Sequence, residues 1–355
     1  MTISEFKYIY FSLDLQSPFH TSTKTISQRS GFIIELRDEF NNRASGECSP
    51  LPGFSSESLD DSKQLLESLQ TRIPGEKIDD NFESVQVFTV RHNLTPSLRF
   101  AFEQALVNLL ILRNRKILSD YFDEFNLSVP SNAVVGIGSK DFVLNKIRRK
   151  IRDGFTTFKI KIGRNDVLDD FLLLKEIRNE FGGNINLRLD ANRAWSADEA
   201  LEYLDRFQQF NIDYVEEPCE FVCSNFHLIE DSPVPIALDE SLVSFERAED
   251  LINHCNVEFL ILKPMILGGI LSSLKLIKEA EKKKKKIIIS SSFESPVGKN
   301  ALVFLAASVN HSLPHGLDTS DYFKNSLFPD PYVIKNGRID FNPETYPNFF
   351  DLKLL

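Results

Sequence analysis

Thr157-Phe158-Lys159-Ile160-Lys161-Ile162-Gly163 is the stretch on which the fold of this chain turns. Its apolar and β-branched residues predict a short strand, and strand alternation puts Lys159 and Lys161 on one face. An ammonium on the inner face of a strand is costly unless something compensates it. Compensation stands further along the chain: Asp190, Glu216 and Asp239 each close a short apolar run, and Lys263 closes another. Carboxylates and ammonium groups at the ends of successive strands point to a metal-assisted proton-transfer site.

The rhythm around that stretch is repetitive. From about Val129, short β runs at 133–136, 158–162, 185–189, 214–215, 235–238, 258–262 and 287–291 alternate with helix-period segments. Those segments include 141–152, 167–181, 196–210, 245–253 and 270–283. With an eighth strand near Gly316-Leu317, the pattern predicts an α/β chain built as a (β/α)7β TIM-like barrel. A doubly wound open sheet is the alternative; the lack of a glycine-rich phosphate loop after the first strand weighs against it. Upstream, 7–13 and 31–37 read as paired strands, with a polar, mobile loop at 16–30 and another loop at 46–55. Helices are expected at 58–68 and 97–118. The expected division is an α+β capping domain over 1–125, the barrel over 126–317, and a C-terminal segment over 318–355 that packs back on the cap.

In such barrels the active site lies at the C-terminal ends of the strands. Lys159, Lys161, Asp190, Glu216, Asp239 and Lys263 all fall there. Taken singly, each has a plainer reading. Asp190 before Ala191-Asn192, and Asp239 before Glu240-Ser241, could form turns or cap helices. Of Glu216 and Glu217, one would be a supporting group, and Lys263 before Pro264 could be a snorkelling lysine. The set is harder to explain away. The three carboxylates lie 26 and 23 positions apart, the period of one β/α unit, and would converge at the mouth of the barrel. Like charges gathered there need a cation, and oxygen-only ligation suits Mg²⁺, with Mn²⁺ able to substitute. A lysine base is favoured by neighbouring positive charge and by desolvation. Lys159 beside Lys161, with the ion near, would supply both.

Composition narrows the classes. The chain has 355 residues and a formal net charge of −10, so nucleic acid is not an expected partner. The basic run Lys282 to Lys286 reads as a solvated helix end near the negative end of the helix dipole. Cys48, Cys219, Cys223 and Cys255 match no zinc spacing and no disulfide framework. No leader pattern opens the sequence, and no stretch reaches the roughly 18 apolar residues that would span a membrane. A cytoplasmic protein with reduced thiols is the expectation; the small carboxylate substrate is expected from the strand-end charges and not from composition. The 30 Phe residues read as core filler.

The motifs Lys159-Ile160-Lys161, Leu189-Asp190-Ala191-Asn192, Val215-Glu216-Glu217-Pro218, Leu238-Asp239-Glu240-Ser241 and Leu262-Lys263-Pro264 resemble the enolase superfamily, muconate-lactonising subgroup. Within it, four further stretches are similar to enzymes that dehydrate a succinylated cyclohexadiene carboxylate to an aromatic acid. They are residues 46–55, 188–195, 290–295 and 315–319. The resemblance implies Mg²⁺ held by Asp190, Glu216 and Asp239, with Lys161 as general base and Lys159 as its neighbour. Lys263 would stabilise an enediolate from the opposite face; a lysine base working with Mg²⁺ is the established arrangement in enolase-superfamily sites. The resemblance also implies substrate contacts from Arg188, Asn192, Ser290 and Ser292, with the two serines on one face by alternation. N-succinylamino acid racemases share the site plan. Dipeptide epimerases carry Asp-x-Asp after the last strand, where this chain has Asp318-Thr319-Ser320-Asp321. Residues 321–355 match no part of the pattern, and Cys48 stands where a small or apolar residue is expected.

Overall fold

The computed structural model describes residues 1–20, 25–348 and 350–351. The chain opens with an antiparallel sheet of β1 (Ile3–His20), β2 (Thr25–Asp38) and β3 (Arg43–Cys48). Helices α1 (Leu59–Leu69), α2 (Phe82–Arg91), α3 (Pro96–Arg113) and α4 (Lys116–Tyr121) follow. Apolar on nearly every face, α3 lies so close against β3 that a Cβ at Gly46 would collide with the Ala101 carbonyl oxygen. Only glycine permits that approach.

After β4 (Ser128–Pro130), the barrel runs through β5 (Ala133–Val135), α5 (Lys140–Arg152), β6 (Thr157–Lys161), α6 (Val167–Phe181), β7 (Asn186–Asp190) and α7 (Ala197–Phe207). It continues through β8 (Ile212–Glu216), α8 (Leu228–Asp231), β9 (Ile236–Leu238), α9 (Phe245–His254), β10 (Phe259–Leu262), α10 (Pro264–Leu267), α11 (Ile270–Lys282), β11 (Lys286–Ile289) and α12 (Pro296–Ala307). The strands from β5 to β11 form one parallel sheet in chain order. His315-Gly316 closes it. The His315 N–H donates to the Pro130 carbonyl and the Gly316 N–H to the Ile289 carbonyl, both at 2.8 Å. The eighth strand is thus two residues long, and the chain is a TIM-like barrel with an N-terminal cap.

Alternation explains the layering. Phe158, Ile160, Leu187, Leu189, Val215, Leu238 and Leu260 point outward into the main core under the helices. Residues of the opposite parity, Tyr214, Ala237, Ile261 and Ile288, fill the barrel interior as a separate cluster below the site. The helices start where the sequence caps them: Ser139 accepts from the Phe142 N–H, and Ser196 forms a capping box with Glu199.

Two expectations change. The mobile loop over 16–30 is instead the continuation of β1 and β2, whose tip at 21–24 lies outside the described residues. Leu15 and Ile26 are buried against Leu51, Ile266 and Phe293, while Gln16, Ser17 and Thr25 are exposed. That alternation is obscured in the sequence by Ser, Thr and Pro18. Buried Arg29 fastens the hairpin, donating to the Pro50 carbonyl at 2.8 Å and to Ser49 Oγ at 3.1 Å. Likewise, the helix expected over 97–118 breaks at Asn114, which is extended. Among the anchors of the C-terminal segment, Phe328 and Phe350 pack with Phe11, Leu13 and Ile33, and β12 (Arg338–Asp340) pairs with β4.

Candidate active site at the mouth of the barrel

Strand register brings the charged residues to one level. Lys161 is paired with Asp190, and Asp190 with Glu216, across β6, β7 and β8. Lys159, one pleat lower, reaches both acids: its Nζ lies 2.9 Å from Glu216 Oε2 and 3.2 Å from Asp190 Oδ2. Lys263, just beyond β10, holds Asp239 Oδ2 at 2.5 Å and lies 4.4 Å over the ring of Phe54 from the cap. Lys159, Lys161, Lys263, Asp190, Asp239 and Asn192 all line one cavity of about 440 Å³. Glu216 lies just beneath it, 1% exposed.

The two glutamates of Glu216-Glu217-Pro218 diverge. Glu216 faces the barrel interior. Glu217, at φ 40°, turns away and is bracketed by the Asp239 N–H at 2.9 Å, by Arg193 Nη2 at 3.0 Å and by the Ser241 hydroxyl. It ties three strand ends together from outside the cavity.

The electrostatics are those of a crowded acid cluster. For Glu216, burial raises the carboxyl pKa, Lys159 opposes, and repulsion from Asp190 and Asp239 leaves it at about 7. Asp190 goes the other way: burial works against its charge, but Lys159, Lys161 and Lys263 hold it below the usual carboxylate range. Burial disfavours the Lys159 ammonium too, yet Glu216, Asp190 and Asp239 keep it charged well above the ordinary lysine value. Glu240, by sequence no more than a turn residue, is pushed up by burial and by Asp239, and accepts from Asn192 Nδ2 at 2.6 Å.

The remaining candidates part company. Ser290 and Asn192 line the cavity; Arg188 and Ser292 do not. The Arg188 guanidinium, 1% exposed, lies in the barrel interior 4.9 Å over the Tyr214 ring and donates to Asn132 Oδ1 at 2.9 Å. Ser292 turns away because β11 ends at Ile289, so alternation no longer applies; Ser291 lines the cavity instead. Three wall groups that sequence reasoning misses are Phe142, Lys146 and Tyr322, which stand beside Phe54 of the loop 46–55. Their signal is weak, since each lies in a loop or helix where apolar or basic residues are ordinary. Cys48 is buried and bonded to Ser97 Oγ, its thiol raised to about 12 by burial.

Residues 143–345 match the family model described as enolase C-terminal domain-like, and residues 4–109 match that of the N-terminal domain of MenC. The chain belongs to the enolase superfamily. It is 27% identical to the o-succinylbenzoate synthase of Desulfotalea psychrophila over 95% of this chain and 99% of that one. The crystal structure of MenC from Desulfotalea psychrophila superposes with a TM-score of 0.82 at 24% identity, covering 96% of this chain and 100% of that one. A dipeptide epimerase from Enterococcus faecalis, solved with Mg and L-Leu-L-Tyr, superposes at 0.86 and 22% identity, covering 96% and 98%. Likeness at these identities to solved structures establishes the fold.

The Enterococcus faecalis epimerase was solved with Mg, and the acids of this chain suit such an ion. The donors are hard carboxylate oxygens, and Asp190 Oδ1 is buried without a hydrogen-bond partner. In this arrangement the Lys159 ammonium stands between Asp190 and Glu216, and that of Lys263 pairs with Asp239. Among the described residues, no three acidic, His or Cys side chains close on one point. The convergence expected from the sequence is therefore partial, because the lysines already neutralise the like charges. No described helix is long and apolar enough to cross a membrane.

Proposed function

We propose that this enzyme dehydrates 2-succinyl-6-hydroxy-2,4-cyclohexadiene-1-carboxylate to o-succinylbenzoate, a step of menaquinone biosynthesis. The observation that carries the reading is the shared cavity: Lys161 and Lys263 enter it from different strands, with Asp190 and Asp239 between them. The match of residues 4–109 to MenC supports it.

Lys161 takes the proton α to the ring carboxylate. The same amine then gives that proton to the departing hydroxyl; the C–O bond breaks, water leaves, and the ring becomes aromatic. Lys263, kept charged by Asp239 and covered by Phe54, faces the developing enediolate charge. Lys159 holds Glu216 and Asp190 in place. When bound, Mg²⁺ would supply further positive charge to the substrate carboxylate, held by Asp190, Glu216 and Asp239. In this reading residues 1–125 cap the mouth, 126–317 carry the chemistry, and 318–355 lock the two together.

Dipeptide epimerisation is the rival. A dipeptide ammonium calls for free carboxylates after the last strand. Here Asp318 and Asp321 are both taken by Lys150, at 2.8 and 2.9 Å, and Thr319 and Tyr322 line the cavity in their place. Assays of the purified protein with Mg²⁺ on the succinylated cyclohexadiene, on N-succinyl amino acids and on dipeptides separate the readings. Aromatisation of the first is expected; epimerisation of a dipeptide without aromatisation would overturn the proposal.

A further inference from the structure

One cation in the cavity wall has no part in the proton chemistry. Lys146, on α5, is half-buried and lines the same cavity as Lys161 and Lys263. Its Nζ lies 4.7 Å over the Tyr322 ring and donates to the Tyr322 hydroxyl at 3.5 Å. The acids that could neutralise it, Asp318 and Asp321, are held by Lys150. Among the described residues no carboxylate lies within ion-pair distance of Lys146. Burial lowers its ammonium pKa, with Asp318 opposing and Lys150 adding to the fall. A desolvated cation without a counter-ion is destabilising, and an anionic ligand group reaching it removes that cost.

The surroundings fit an apolar tail. Val135, Ile137, Phe142 and Phe293 give this side of the cavity apolar walls, while Tyr322 closes it from the C-terminal segment. Phe293 packs edge-on to Tyr322 at 5.5 Å. An aliphatic chain ending in a carboxylate matches an apolar channel with an ammonium at its end.

We propose that Lys146, steadied by Tyr322, binds the terminal carboxylate of the substrate's tail, so that the enzyme selects dicarboxylates. One carboxylate lies at the strand-end cluster and the second at α5. The inference rests on the function proposed above and adds to it a residue that sets specificity. The expectation that residues 321–355 match no pattern is also corrected: up to 345 they fall within the enolase C-terminal domain-like match, and through Tyr322 that segment builds the tail end of the site.

Calorimetric titration of the Mg²⁺-loaded enzyme with o-succinylbenzoate, and with the analogue whose tail carboxylate is an amide, tests it. Wild-type protein binds the acid roughly 10- to 100-fold more tightly than the amide, the range of a charge-assisted hydrogen bond. Lys146→Gln abolishes that preference, Lys146→Arg restores most of it, and in turnover the loss falls on KM more than on kcat. A merely structural lysine would weaken both ligands alike. If Lys146→Gln keeps the wild-type ratio of acid to amide, the anchor is refuted while the dehydratase reading stands. If wild-type protein binds neither ligand and does not aromatise the cyclohexadiene, the functional reading fails and the anchor with it.

Discussion

The charged strand ends and the opposite wall share one cavity, yet they reach it by different routes. Lys159, Lys161, Asp190, Glu216, Asp239 and Lys263 stand on or just beyond consecutive strands of one parallel sheet, so register alone sets their spacing. Phe54, Lys146 and Tyr322 come from a cap loop, a helix and the C-terminal segment, and meet only through long-range packing. The rigid floor suits chemistry, which tolerates little displacement of reacting groups. The assembled wall suits specificity, which can be changed one element at a time without disturbing the floor.

The contrast is steepest within a single dipeptide. Glu216→Gln removes a floor carboxylate, and activity should fall roughly 10³-fold together with Mg²⁺ affinity, at the upper end for loss of one electrostatic group. Glu217→Gln keeps the floor and disturbs only the bracket on Asp239 and Arg193. A loss of about 10- to 100-fold is expected, as for groups that orient ligands. Metal titration and turnover of both variants check this; a more damaging Glu217 change would exchange the two assignments.

Lys263→Ala should come next, at about 10²- to 10³-fold in kcat. Its partner across the divide, Phe54→Ala, exposes the ammonium from the wall side and should cost only about 0.5–2 kcal/mol of transition-state stabilisation. Equal losses in steady-state kinetics would mean that floor and wall are not separable.

A milder effect concerns how the cap is held on the barrel. Glu103 of α3 accepts from the Leu271 N–H at 2.8 Å and so caps α11, whose own N-cap, Gly269, has no side chain. Burial raises its carboxyl to about 8, against the backbone donors and Arg99. The folded state therefore keeps a proton that the unfolded state releases near its ordinary value. Stability from this group is fully present below the ordinary glutamate value of 4.5 and is lost as pH rises toward about 8. Relative to Glu103→Gln, the wild-type urea midpoint should decline across that window; parallel profiles would contradict the sign.

How much is legible in the sequence follows from the same contrast. The barrel and the floor can be read because charge at the end of each apolar run recurs with the period of a β/α unit. The eighth strand, His315-Gly316, is placed one residue late from the sequence, near Gly316-Leu317, since two residues carry no periodicity. Lys146 is not visible: it lies among Lys140, Arg148, Arg149, Lys150 and Arg152, a run that reads as a solvated helix face. Arg188 shares the inward parity of Asp190, but parity does not tell height within the barrel, and the side chain lies in the interior beside Tyr214, away from the cavity lining. Ser292 departs from expectation because alternation stops with the strand. The hairpin reads as a loop in sequence because its buried positions, Leu15 and Ile26, are sparse among polar residues.

Central to the proposed mechanism is one floor amine that both takes the α-proton and returns it to the leaving hydroxyl. Lys161→Ala protein, loaded with Mg²⁺, tests it by dehydration of the succinylated cyclohexadiene and by solvent-deuterium exchange at the α-carbon of each enantiomer of an N-succinyl amino acid. No aromatic product and no exchange are expected, a loss at least as large as the roughly 10²- to 10⁴-fold usual for a general base. Exchange of one enantiomer would show Lys263 acting as a second base and a racemase-competent site. Dehydration that survives in Lys161→Ala would contradict the mechanism.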